Sequence, residues 1–133
     1  MKKQTFDYSC NILLEPVPAS RPKVSRFGTY YGKRYAKWKN DADKLLRQQS
    51  FPSTDKPLSV NVEQVCKKPK TTKRSYPTGD VDNHCKGPLD AITRSNFGWD
   101  DDSQIVELKV FKRYAEQDEQ PKSIIQWKAI QNL

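Results

Sequence analysis

No apolar run in the sequence approaches the ~18 residues that a helical membrane span requires, so a transmembrane helix is not expected. Two lysines follow Met1, but no apolar stretch follows them, which argues against a secretory leader and for a cytoplasmic setting. Cysteine is sparse: Cys10, Cys66 and Cys85 are odd in number and lack a Cys-x-x-Cys spacing. That excludes an obvious zinc site or disulfide framework and predicts reduced, buried thiols. His84 is the single histidine, too little for a catalytic triad or a histidine-rich metal centre. Internal repeats, long linkers and low-complexity tracts are also missing, and 133 residues suit one domain over 1–133.

What is present is positive charge, unevenly placed. The net charge is +8, yet residues 1–75 hold 17 Lys/Arg against 6 Asp/Glu, and residues 76–133 hold 7 against 10. A basic segment favours a polyanionic partner. With no basic amphipathic helix and no lipidation signal, nucleic acid fits better than a membrane surface. Two stretches concentrate the charge. Residues 20–34 interleave Arg21, Lys23, Arg26, Lys33 and Arg34 with Phe27, Tyr30 and Tyr31, supplying cations for phosphates and rings for exposed bases. Residues 67–74 hold Lys67, Lys68, Lys70, Lys73 and Arg74 with no anion; a solvated basic turn is the plainer reading of either stretch.

Four stretches alternate with a period of two: Tyr8–Leu14, Leu58–Cys66, Ile105–Phe111 and Ile125–Ala129. Each predicts a half-buried strand. Over 35–50, Tyr35, Trp38, Ala42, Leu45, Leu46 and Gln49 recur at steps of three and four, which predicts an amphipathic helix ending before Pro52. A second helix is expected near 83–94, before the Ser95-Asn96-Phe97-Gly98 turn. It starts either at Asn83 with Asp82 as N-cap, or at Pro88, a residue suited to a first turn. The fold class that follows is α+β: a mixed or antiparallel sheet of about four strands with two helices packed on it.

Acidic residues gather at the ends of that second helix. Gly79-Asp80-Val81-Asp82-Asn83 precedes it, and Asp100-Asp101-Asp102 follows it, just before a strand. A single Asp-x-Asp is a weak signal, because turns and caps use Asp freely. Two acidic groups joined by one short helix are a stronger one. Carboxylates ~5 Å apart repel by roughly 3 kcal/mol at an effective dielectric near 20, so a convergent cluster protonates or holds a cation. Oxygen donors without His or Cys select Mg2+, Mn2+ or Ca2+. The EF-hand pattern fails, since no Gly or further acidic residue follows Asp82 at the required spacing. Lys86, four residues after Asp82 and four before Asp90, is either one rung of a salt-bridge ladder or a cation beside a phosphate. Trp38 is expected in the core, and Trp99 as an anchor for the turn.

The stretch Gly79-Asp80-Val81-Asp82-Asn83-His84-Cys85-Lys86-Gly87-Pro88-Leu89-Asp90, followed by Gly98-Trp99-Asp100-Asp101-Asp102-Ser103-Gln104, resembles the RusA family of Holliday junction resolvases. Their pattern is Asp-x-Asp-Asn, a Lys three residues on, an Asp four further, then Asp-Asp-x-Gln. The N-terminal basic stretch resembles phage-borne members. The resemblance implies metal-binding catalytic carboxylates at Asp80, Asp82 and Asp102, with Asp101 a further candidate. It also implies a required lysine at Lys86, Mg2+ (or Mn2+) as cofactor, and a homodimer that nicks symmetric strands of a four-way DNA junction. Three features depart from the pattern: Asp100 is an additional acid, Gly87-Pro88 shifts a proline by one position, and the 67–74 basic segment is long. The competing expectations are a binding-only protein for branched DNA and a metal-dependent ribonuclease.

Overall fold

The computed structural model describes residues 5–20, 23–25, 28–30 and 32–131. Each of the four period-two stretches forms a strand of one sheet. They are β1 (Tyr8–Ile12), β4 (Leu58–Cys66), β5 (Ile105–Tyr114) and β6 (Lys122–Ala129), in the order β1-β6-β4-β5. β6 is antiparallel to both β1 and β4, whereas β4 and β5 run parallel. A parallel pair needs a crossover, and α2 (Val81–Ser95) supplies it. The sheet is therefore mixed, and two helices pack on it, as the apolar patterning predicts.

One face of the sheet carries the core. Cys10, Ile12, Leu58, Val60, Val62, Ile125 and Trp127 point toward the helices and are buried. Tyr35, Trp38, Ala42 and Leu46 line the buried stripe of α1 (Lys33–Leu46), and Leu89, Ala91 and Ile92 that of α2. Removing such side chains from water stabilises the fold by roughly 1.5–3 kcal/mol each. The three cysteines are free and buried. Residues 20–34, for which the sequence pattern predicts no strand, contain a small hairpin of β2 (Lys23–Ser25) and β3 (Gly28–Tyr30) that pairs Lys23 with Tyr30. Short polar strands give little apolar alternation, so sequence pattern does not reveal them.

Neither predicted start of the second helix is the one observed. It begins at Val81, with Asp80 in the N-cap position, and runs through Pro88. A proline there removes one intrahelical bond and pushes away the carbonyl four residues back. That carbonyl, on His84, accepts a 2.9 Å hydrogen bond from Nε2 of the fully buried Gln64. A side chain from β4 thus satisfies the group that the proline orphans. Gly87 serves the same turn differently: a Cβ there would stand 2.9 Å from the Trp38 ring and 3.3 Å from that of Tyr35. The Gly-Pro pair lets α1 and α2 approach closely without breaking the helix.

Candidate catalytic site

Asp80 and Asp82 flank the start of α2, and both are exposed. Although Asp80 holds the N-cap position, its side chain makes no capping hydrogen bond. Neither carboxylate enters an ion pair among the described residues. Capping, the plainest role for an aspartate at this position, is therefore not what Asp80 does.

The loop that delivers Asp80 is held from three sides. Lys112 of β5 donates from Nζ to the carbonyls of Pro77 at 2.8 Å and Gly79 at 2.5 Å. The Tyr114 hydroxyl donates to the Tyr76 carbonyl at 2.8 Å. Nε2 of His84 lies 2.8 Å from the Thr78 carbonyl, so the tautomer protonated on Nε2 completes that bond. Gly79 adopts φ +92, and a Cβ on it would come within 2.6 Å of Pro18 and 2.9 Å of His84. Only glycine fits this turn. Burial pushes the His84 pKa below its usual value of 6.5; the Thr78 carbonyl opposes the shift and nearby Lys112 adds to it. A buried, neutral, loop-binding imidazole is a structural group, in keeping with the absence of triad partners.

At the far end of α2 the acidic run divides by role. Asp101 caps a 3-10 turn, Asp102–Gln104, accepting from the Ser103 amide at 3.3 Å and the Ser103 hydroxyl at 3.0 Å. Gln104 clamps the same turn, accepting from the amides of Asp100 and Asp101 and donating to the carbonyls of Thr54 and Lys56. Asp100 is exposed. Asp102 accepts from the Thr93 hydroxyl and, at 3.3 Å, from the Trp99 indole. Trp99 is wholly buried and bonds Thr93 at 2.8 Å, which makes it the anchor of this turn. Trp38 is in the core, as its helical spacing implies.

Asp82 and Asp102 are both near enough to Cys85 to act on it electrostatically. Its thiol is pushed up first by burial and then by the negative charge of both aspartates, with Lys86 opposing them. Among the described residues, however, no three Asp, Glu, His or Cys side chains stand close enough together to hold a metal ion. The set of Asp80, Asp82 and Asp102 is not gathered into one cluster within this chain. Thr93 and Trp99 engage Asp102 at its own end of the helix. The donor chemistry still suits a hard divalent ion: the carboxylates are oxygen-only and exposed, and Mg2+ takes as few as one or two protein carboxylates beside water and phosphate.

Lys86 is exposed and donates to Asn83 Oδ1 at 3.2 Å. The ladder with Asp82 and Asp90 does not form. Asp90 pairs instead with Arg94 at 3.3 Å, and Arg94 also reaches Asp43 of α1 at 2.9 Å.

Lys67, Lys68, Lys70, Lys73 and Arg74 are all exposed, and none enters an ion pair among the described residues. The Lys68 ammonium lies 5.7 Å from the Tyr114 ring centre. Lys33 and Arg34 open α1 and are likewise exposed. Arg34, Lys67 and Thr78 line one cleft of about 210 Å³, so the two basic stretches meet beside the loop that leads to Asp80. Arg21, Arg26 and Tyr31 lie outside the described residues, and for Lys23 and Tyr30 the backbone alone is described. Sequence reasoning missed Lys112, Gln64 and Thr93. None carries a signal along the chain, because each acts on a segment distant in sequence or through a backbone group.

Residues 14–125 match the sequence profile of the family described as Endodeoxyribonuclease RusA. The "Uncharacterized protein YqaN" of Bacillus subtilis (strain 168) is 34% identical in an alignment that covers 77% of this chain and 84% of that protein.

Proposed function

Since the chain belongs to the RusA endodeoxyribonuclease family, we propose that it is a Mg2+-dependent, structure-selective endonuclease acting on four-way DNA junctions as a homodimer. The observation that carries this reading is the pair of exposed carboxylates, Asp80 and Asp82, unpaired among the described residues, at the end of a braced loop and beside a cleft that joins two basic segments. Carboxylates facing a phosphate partner need an intervening cation. Mg2+, replaceable by Mn2+, is the ion that such oxygen donors select. Asp80 and Asp82 are the residues assigned to hold it, and Asp102, not gathered with them in this chain, would join them on binding the ion; Asp101 keeps its cap. Bound there, the ion would polarise the scissile phosphate and make water a better nucleophile.

The remaining work falls to the protein's own groups. Lys67, Lys68, Lys70, Lys73, Arg74, Lys33 and Arg34 attract and orient the DNA backbone. Arg21, Lys23, Arg26, Tyr30 and Tyr31 extend that contact toward the branch point. Lys86, without a carboxylate partner among the described residues, offsets negative charge that builds on the phosphate in the transition state. Two copies suit the substrate, because a junction with two-fold symmetry is matched by a two-fold protein.

The test is a parallel assay on a four-way DNA junction, a linear duplex of the same sequence and a structured RNA, each with Mg2+ and with a chelator. Cleavage of the junction alone, and only with Mg2+, supports the reading. Tight junction binding without cleavage in either condition would assign the protein to the binding-only class, and preferential cutting of the RNA would make it a ribonuclease.

A further inference from the structure

The sheet has two edges, and they are finished differently. β1, at one edge, has five residues, and Gln49, three residues beyond α1, donates to its Asn11 carbonyl at 3.2 Å. β5, at the other, has ten residues and pairs with β4 alone among the described strands. Its residues Val106, Glu107, Leu108 and Lys109 are all exposed. Val106 is 49% exposed, Leu108 41% and Phe111 45%. A long edge strand with apolar side chains in solvent is a template for another strand.

The order of side chains specifies which strand. We infer that β5 is the homodimer surface, pairing antiparallel with β5 of a second copy about a two-fold axis through Leu108. This rests on the two-subunit part of the function proposed above. Opposed residues of an antiparallel pair share a face, so a two-fold perpendicular to the sheet must pass through a residue rather than between residues. Centred on Leu108, the pairing sets Leu108 against its own copy, Val106 against Val110, and Glu107 against Lys109 twice over. Centred on Glu107 or Lys109, it opposes two like charges, which destabilises a cross-strand pair. Centred on Val110, it sets Leu108 against Lys112, whose ammonium is already engaged by the Pro77 and Gly79 carbonyls. Leu108 is thus the centre at which apolar and charged residues both find complements. Such an axis also places α2 of both copies on the same face of a continuous sheet, with the two Ile105 residues ~20 Å apart along the strands.

The test is charge reversal with rescue, read by analytical ultracentrifugation of the whole chain, with far-UV circular dichroism as the check on folding. Glu107→Lys and Lys109→Glu should each raise the dimer dissociation constant by about tenfold or more. The double variant, which restores opposite charges across the axis, should recover most of the loss. Leu108→Cys should give a disulfide-linked dimer on mild oxidation, whereas Ser9→Cys on β1 should not. A dimeric wild type whose dissociation constant neither reversal alters would overturn the surface and leave the two-subunit reading standing. A wild type that is monomeric at every concentration would overturn both.

Discussion

Asp80 occupies an N-cap position without capping, and Asp82, two residues further, enters no ion pair among the described residues. Substituting Asn at either position removes a charge while keeping size and hydrogen-bonding capacity. Asp82→Asn is expected to leave the melting temperature within about 2 °C of wild type, because an exposed, unpaired charge contributes little to stability. Cleavage should fall by at least about a hundredfold; single-turnover kinetics with the melt as control measures both. His84 makes the opposite prediction. Its folded pKa lies below 6.5, so the unfolded chain binds its proton more readily. The stability conferred by neutral His84 is fully present above about pH 6.5 and is lost as pH falls through the lower folded value. Thermal melts between about pH 5 and 8 should show a decline on the acid side that is smaller in His84→Gln.

At the scale of the element, α2 connects both acidic groups and tolerates a proline only because β4 compensates. Gln64→Leu leaves the His84 carbonyl buried without its donor, which costs about 1–3 kcal/mol. Gly87→Ala forces a methyl into the Trp38 ring and should destabilise by a similar amount, about 1–3 kcal/mol. Denaturant melts of both variants measure these losses. The strands and helices themselves were legible in sequence, because burial on one face imposes a period of two on β4 and of 3.6 on α1. The start of α2 was not. Pro88 argues locally against a helix through it, and the Gln64 amide that overrides the argument comes from another strand. The β2–β3 hairpin was missed because it buries no alternating stripe.

The acidic residues were legible as a group, since Asp-rich turns at both ends of one helix stand out along the chain. Their division of labour was not. That Asp101 caps, that Asp102 is held by Thr93 and Trp99, and that Lys86 bonds Asn83 rather than an aspartate are matters of rotamer and distance. Sequence spacing also implied that three carboxylates meet, whereas among the described residues no three such side chains stand close enough together to hold a metal ion.

For the whole molecule, the proposed function turns on basic segments that meet beside the loop leading to an acidic centre. Replacing Lys67, Lys68, Lys70, Lys73 and Arg74 by Gln should weaken junction binding, and should flatten the log–log salt dependence by up to about 4.5 in slope. Binding titrations across salt concentrations give both quantities. The central claim, that divalent-ion-dependent cutting of branched DNA resides at Asp80 and Asp82, is tested most directly by comparing wild type with Asp82→Asn on one end-labelled four-way junction in Mg2+, with binding and cleavage followed in the same samples. The account predicts equal binding, with strand cleavage by wild type alone. Full-rate cleavage by Asp82→Asn, or wild-type cleavage that persists in a chelator, would contradict it.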